Sequence, residues 1–157
     1  MVISNHHTHH TLTILSMTKE TAGTYRCSAS NSFGSNFKEI QVSGLARAAV
    51  FTNQRTGDKA REFLLSWFTV SRSPVNKFKV FTRSMGDMDW DVHEIQAEHS
   101  DDSGEVYNGQ LHLIGLERAS LYQVKVAAEN MFGFNEPEEI FIFGTKGAGR
   151  CSFFSFI

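Results

Sequence analysis

Little in this chain is present in excess, and its scarcities narrow what it can be. Of 157 residues only two are proline and 20% are charged, which argues against a disordered chain. Charge of one sign is missing too: 15 basic residues lie singly among 17 acidic ones, for a formal charge of −2. Without a basic stripe there is no electrostatic case for nucleic acid or for an anionic membrane surface. No run approaches the roughly 18 apolar residues of a membrane span, so direct insertion of this chain into a bilayer is not expected. Residues 1–7 lack the basic start and apolar centre of a secretory signal. Catalytic signatures are wanting as well: there is no Gly-x-Ser-x-Gly, no phosphate-cradling glycine loop and no His-Glu-x-x-His. Neither an enzyme nor a bound cofactor is expected. No asparagine begins an Asn-x-Ser/Thr glycosylation acceptor.

What is there is an apolar fraction of 41% with 14 Phe, enough for a packed core and for one large domain or one and a half small ones. Organisation shows in a repeated stretch. Tyr25, Cys27 and Ala29 alternate with polar residues and run into Asn31-Ser32-Phe33-Gly34. Tyr122, Val124, Val126 and Ala128 do the same before Asn130-Met131-Phe132-Gly133. Each reads as a half-buried strand entering an Asn-x-x-Gly hairpin turn, where glycine accepts a positive φ.

The first copy resembles the F strand and F–G turn of an immunoglobulin domain, and the second the same region of a fibronectin type III domain. The immunoglobulin resemblance rests on Tyr25-x-Cys27-x-Ala29-x-Asn31. It implies strand E at Leu12 and Ile14, an E–F corner over residues 19–25 whose tyrosine hydroxyl bonds back to the turn, and strand G from Phe37 to Val42. Thr21 stands where the family usually carries aspartate, which puts the usual corner ion pair in doubt. The family also implies a strand-B cysteine and a strand-C tryptophan, and neither precedes Cys27. The expectation is therefore an incomplete domain over residues 1–43, a piece of a longer protein, with Cys27 a free thiol. A bridge from Cys27 to Cys151 would require the two ends of a tandem to meet and is not expected. The alternative is a short protein whose three-stranded remnant packs on the second domain.

The fibronectin resemblance spans residues 45–146. Phe63, Leu65 and Trp67 read as strand B, with Trp67 the core tryptophan; Phe78, Val80 and Thr82 as strand C; Trp90, Val92 and Glu94 as strand C′. Leu111 and Leu113 form strand E, and Glu139 to Phe143 strand G. Leu116 followed after five residues by Tyr122 is the family's corner spacing, although Arg118 and Ser120 replace the usual proline and threonine. The fold class is thus all-β: a partial immunoglobulin-like sandwich (strands E–G only), then a near-complete fibronectin type III β-sandwich. Residues 147–157 read as a disordered tail.

Tyr25, Cys27, Trp67, Leu116 and Tyr122 are accordingly structural residues. Phe132 and Phe134, in the F–G turn, are candidate partner-binding residues, because loop aromatics carry disproportionate binding energy. His6-His7-Thr8-His9-His10 is the one metal-like cluster. His7 and His9 would share a strand face able to hold zinc or copper, but no Cys, Asp or Glu lies nearby, so a solvated polar tail or the remnant of a D–E loop is expected and no metal is assigned. Asp101, Asp102 and Glu105 lack the alternation of a calcium loop. Arg55-Thr56-Gly57-Asp58 is a lengthened Arg-Gly-Asp in an A–B loop, away from the F–G position where integrin-binding modules of the family carry it. The resemblance as a whole implies an adhesion molecule of the immunoglobulin superfamily, neural type. Such a parent lies on the extracellular side of the plasma membrane and binds another protein, homophilic partners included. The rival readings are an intracellular muscle scaffold and the ectodomain of a receptor tyrosine kinase or phosphatase.

Overall fold

The computed structural model describes residues 1–6, 9–99, 104–137 and 139–149. These form strands and connections with no helix, in two compact units that divide after Gly44.

The first unit consists of two antiparallel hairpins. Strand β1 (Val2–His6) pairs with β2 (His9–Thr13), from Val2 opposite Thr13 to His6 opposite His9. Strand β3 (Gly23–Asn31) pairs with β4 (Gly34–Val42), from Gly23 opposite Val42 to Asn31 opposite Gly34. Among the described residues four strands are present rather than the three expected. The segment before residue 7 is itself a strand, because its backbone groups pair with β2 although its side chains, Val2 and Ile3 included, show no buried face. Strand E correspondingly ends at Thr13, one residue before Ile14. None of the described residues of this unit is buried. Cys27 is a free thiol, as expected, and it is exposed. Ile3, Phe37 and Ile40 are exposed as well.

The second unit begins at Leu45 and is a two-sheet sandwich. One sheet has the order β5-β6-β10-β9, built from Val50–Phe51, Glu62–Val70, Val106–Ile114 and Glu98–His99. The other places β8 (Asp91–Gln96) beside β7 (Val75–Ser84) and β7 beside β11 (Leu121–Asn130). The far edge of β11 is shared by β12 (Gly133–Phe134) and β13 (Phe141–Gly144). In family letters this is A–B–E facing C′–C–F–G, the immunoglobulin-like two-sheet arrangement.

Alternation builds the core. Phe63, Leu65 and Trp67 from β6 meet Phe78 and Val80 from β7 and Tyr122, Val124, Val126 and Ala128 from β11. Phe63 stacks on Phe143 with ring centres 4.0 Å apart, Phe51 on Phe141 at 4.5 Å, and Trp67 stands edge-on to Phe78 at 5.5 Å. Each such ring removes some 150–250 Å² of surface from water, the dominant favourable contribution to this unit.

Two strands and one connection depart from expectation. Strand G begins at Phe141 and not Glu139, since the Asn135 side chain, not a strand backbone, takes the Ala128 N–H (2.6 Å). On C′, Trp90 precedes the strand, while Val92 and Glu94 lie on it as expected, exposed, and alternate with the half-buried His93 and Ile95. The Arg55–Gly57 segment is no free loop: it bridges Gly144 in parallel, with Gly144 N–H donating to Arg55 O (2.9 Å) and Gly57 N–H to Gly144 O (2.7 Å). Residues 101–103 and the tail from residue 150, Cys151 included, lie outside the described residues, as does His7.

Candidate partner-binding site

Both Asn-x-x-Gly turns close in the same way. Asn31 Oδ1 accepts from the Phe33 and Gly34 amides (2.8 and 3.2 Å), and Asn130 Oδ1 from the Phe132 amide (2.9 Å). Gly34 and Gly133 take φ of 151° and 122°, backbone that a side chain would strain.

The two corner tyrosines differ in the role of the hydroxyl. Tyr25 donates to Thr21 O at 2.7 Å. Thr21, in the usual aspartate position, accepts the Thr18 amide on its own hydroxyl (2.7 Å) and donates to Ser16 O (3.1 Å). With Thr21 N–H donating to Thr18 Oγ1 (3.3 Å), this is a reciprocal capping box around one helical turn, and a carboxylate is not required. Tyr122 instead accepts the Glu117 amide at 2.8 Å, while Leu116 packs partly buried against the core below. Thr145, which no sequence pattern marked, completes this corner. Its buried hydroxyl donates to Glu117 O (2.8 Å) and accepts the Ser120 amide (3.0 Å). Tyr122→Phe removes one of these bonds and leaves the Glu117 amide without it. The expected cost is about 0.5–1.5 kcal/mol, read from denaturant midpoints. A variant of unchanged stability would take Tyr122 out of the corner.

At the opposite pole, buried polar side chains fix the 130–135 turn. Asn130 donates to Ser71 Oγ (3.2 Å), and Ser71 donates to Ser73 O (2.6 Å), joining this turn to the β6–β7 connection. Asn135 donates to Arg47 O (2.9 Å), which also accepts the Thr69 hydroxyl (2.6 Å). Such a satisfied buried network specifies one conformation, because a partly broken one leaves desolvated groups unpaired. On this frame Met131 is exposed and Phe132 half-buried. Phe134 is different: it lies on β12 with the Lys79 ammonium 4.5 Å from its ring centre.

The outward face of β7 carries a further set. Lys77 pairs with Glu94 (2.9 Å), and that hydrogen bond holds the Glu94 carboxyl below and the Lys77 amine above their ordinary values. On the other sheet, Glu62 accepts Lys59 (2.9 Å) and His112 (2.7 Å), and its carboxyl is lowered by Lys59 first and His112 second. Among the described residues no group of three or more His, Cys, Asp or Glu is placed to hold a metal. No described helix is long and apolar enough to cross a membrane.

Residues 1–43 match the immunoglobulin I-set domain family. No curated protein matches the chain. Among solved structures it is similar to the chicken CNTN1 FN1–FN3 domains, at 18% identity over 79% of this chain and 43% of that one (TM-score 0.47). The fibronectin type III domain derived from human KIAA0970 protein is similar at 20% identity, over 65% and 73% (TM-score 0.39). Titin domains A168–A170 are similar at 20%, over 79% and 40% (TM-score 0.36). No catalytic family is among these. The chain thus joins a segment similar to the immunoglobulin I-set family, residues 1–43, to a second unit that is a two-sheet all-β sandwich.

Proposed function

We propose that the chain is a non-catalytic recognition module of a cell-surface protein of the immunoglobulin superfamily, binding another protein, a second copy of its own parent included, on the extracellular side of the plasma membrane. The observation that carries this reading is the 130–135 turn. An exposed methionine and a half-buried phenylalanine are held at a sandwich pole by buried asparagines, so they are presented without the usual cost of ordering a loop. A soft thioether beside an aromatic ring suits an interface centre.

The test displays the chain on beads and measures bead aggregation and bead attachment to cells. Met131→Ser with Phe132→Ser is expected to lower adhesion by about tenfold or more, as for loss of an interface anchor. The unfolding midpoint should stay close to that of the parent chain. Adhesion that persists undiminished in this variant would remove the turn from the binding surface. Staining of the full-length parent only after cell permeabilisation, in register with sarcomeres, would replace the adhesion reading with the scaffold one.

A further inference from the structure

The outward face of the β8–β7–β11 sheet carries an uncompensated pair of cations. Lys77, Lys79, Phe81 and Arg83 alternate along β7 with Phe78, Val80 and Thr82, which are buried. Across the ladder Gln123 lies opposite Arg83, Lys125 opposite Phe81 and Glu129 opposite Lys77. Glu94 lies opposite Lys79, and Val92 opposite Phe81, on the other side. The two ends of this row differ. Lys77 and Lys79 are answered by Glu94 (2.9 and 3.8 Å), and Lys77 also by Glu129 (3.8 Å).

At the other end Arg83 and Lys125 share one indole. The guanidinium carbon lies 4.2 Å and the ammonium 4.6 Å from the Trp90 ring centre, and Lys125 also sits 5.1 Å from the Phe81 ring. Arg83 donates from Nε to Gln123 Oε1 (2.7 Å) and from Nη1 to Met88 O (3.3 Å). No carboxylate pairs with either cation among the described residues, Asp87, Asp89 and Asp91 nearby in sequence included. Five guanidinium and three ammonium N–H groups against two hydrogen-bonded oxygens leave donors for a further anion. The ring contacts also hold both side chains in place beforehand, so binding orders little more.

We propose that this face is a docking surface for an acidic protein segment, one carboxylate falling to Arg83 and the next to Lys125. Charge complementarity selects the sign, and spacing selects a peptide. Arg83 and Lys125 are diagonal neighbours on paired strands, about 7–8 Å apart at the backbone. Alternate side chains of an extended strand repeat every ~6.4–6.8 Å. Acidic residues at positions i and i+2 of such a strand therefore reach both cations, while the residue between them faces away. Exposed Val92, beside Phe81, supplies apolar contact along the same line. The inference builds on the reading of the chain as a protein-recognition module, and it rests on Arg83 and Lys125 rather than on Met131 and Phe132.

The test titrates the 157-residue chain with a synthetic peptide of alternating glutamate and threonine, its glutamine–threonine counterpart, and heparin. Saturable binding of the glutamate peptide is expected, with quenching of Trp90 emission and amide shifts confined to β7, β8 and β11. Affinity should fall steeply with added salt. Arg83→Gln with Lys125→Gln should weaken it by about tenfold or more. Met131→Ser with Phe132→Ser should leave it unchanged, so failure here and failure of the turn as an adhesion site are told apart. Should the double variant not fold, Lys125→Gln alone and the shift map of the unaltered chain decide. Equal binding of the glutamine peptide, shifts elsewhere, or an undiminished affinity in the variants overturns the proposal. Tighter binding of heparin through the same residues overturns it in favour of a sulfated polysaccharide.

Discussion

Gly109→Ala will destabilise the second unit by about 1–3 kcal/mol, the usual range for overfilling a packed core, and should fall in its upper part. Gly109 lies directly opposite Trp67 in the β10–β6 ladder. A Cβ there would stand 2.5 Å from indole Cε2 and Cζ2 and 2.6 Å from Nε1, inside any tolerable contact. The indole is only 2% exposed and is confined by Phe51 and Phe78, so it has nowhere to retreat. For a domain of this size each kcal/mol lowers the thermal midpoint by about 4–8 °C. The measurement is a double-mutant cycle. In a Trp67→Phe background the smaller ring leaves room, and the penalty of Gly109→Ala should shrink. An alanine tolerated equally in both backgrounds would mean that the indole does not occupy the space above Gly109.

The opposite error, emptying the same space, is expected to cost more. Trp67→Ala should lower stability by about 3–5 kcal/mol, the range for truncating a buried aromatic, which could leave the sandwich barely folded. The loss is apolar contact alone, because Nε1 of Trp67 is buried with no hydrogen-bond acceptor among the described residues. Hence Trp67→Phe should cost less than its lost volume suggests, since it also removes a buried unpaired donor. Urea unfolding of the three proteins checks the order, parent above phenylalanine above alanine. A phenylalanine variant as damaged as the alanine one would show that the indole N–H has a partner, such as an ordered water.

These two residues also show where the sequence was readable and where it was not. Trp67 was legible because Phe63, Leu65 and Trp67 alternate with a period of two, and that period needs no partner strand to be seen. Gly109 was silent: a glycine in a strand reads as a weak point until the facing indole is known. Tyr122 and Leu116 were placed at a corner by spacing, but Thr145, which closes that corner, follows strand G and shows no period at all. Strand β1 escaped notice for a related reason. Its register comes from β2 across the hairpin, and its side chains, apolar Val2 and Ile3 included, face no buried core. The outward set on β7 could have been found, since Lys77, Lys79 and Arg83 fall between the core positions Phe78, Val80 and Thr82. What alternation could not reveal is that Trp90, one residue before its strand, lies against Arg83 and Lys125. The sequence places Phe134 in a loop, yet its position under Lys79 depends on β12 pairing with β11 across two residues.

The parallel pairing of residues 55–57 with Gly144 has a mechanical consequence. Arg55 belongs to the entering segment of the second unit and Gly144 to its last strand, and the two run in the same direction. Lys146 N–H donates to Lys59 O (2.8 Å) close by, giving three backbone bonds with those at Gly144. When the two ends of this unit are pulled apart, the entering segment is drawn backward and the last strand forward. The bonds between them then bear the load side by side, sliding against one another, and are not opened one after another like a zip. Tension applied across the ends of this unit thus meets a place where several hydrogen bonds must yield together.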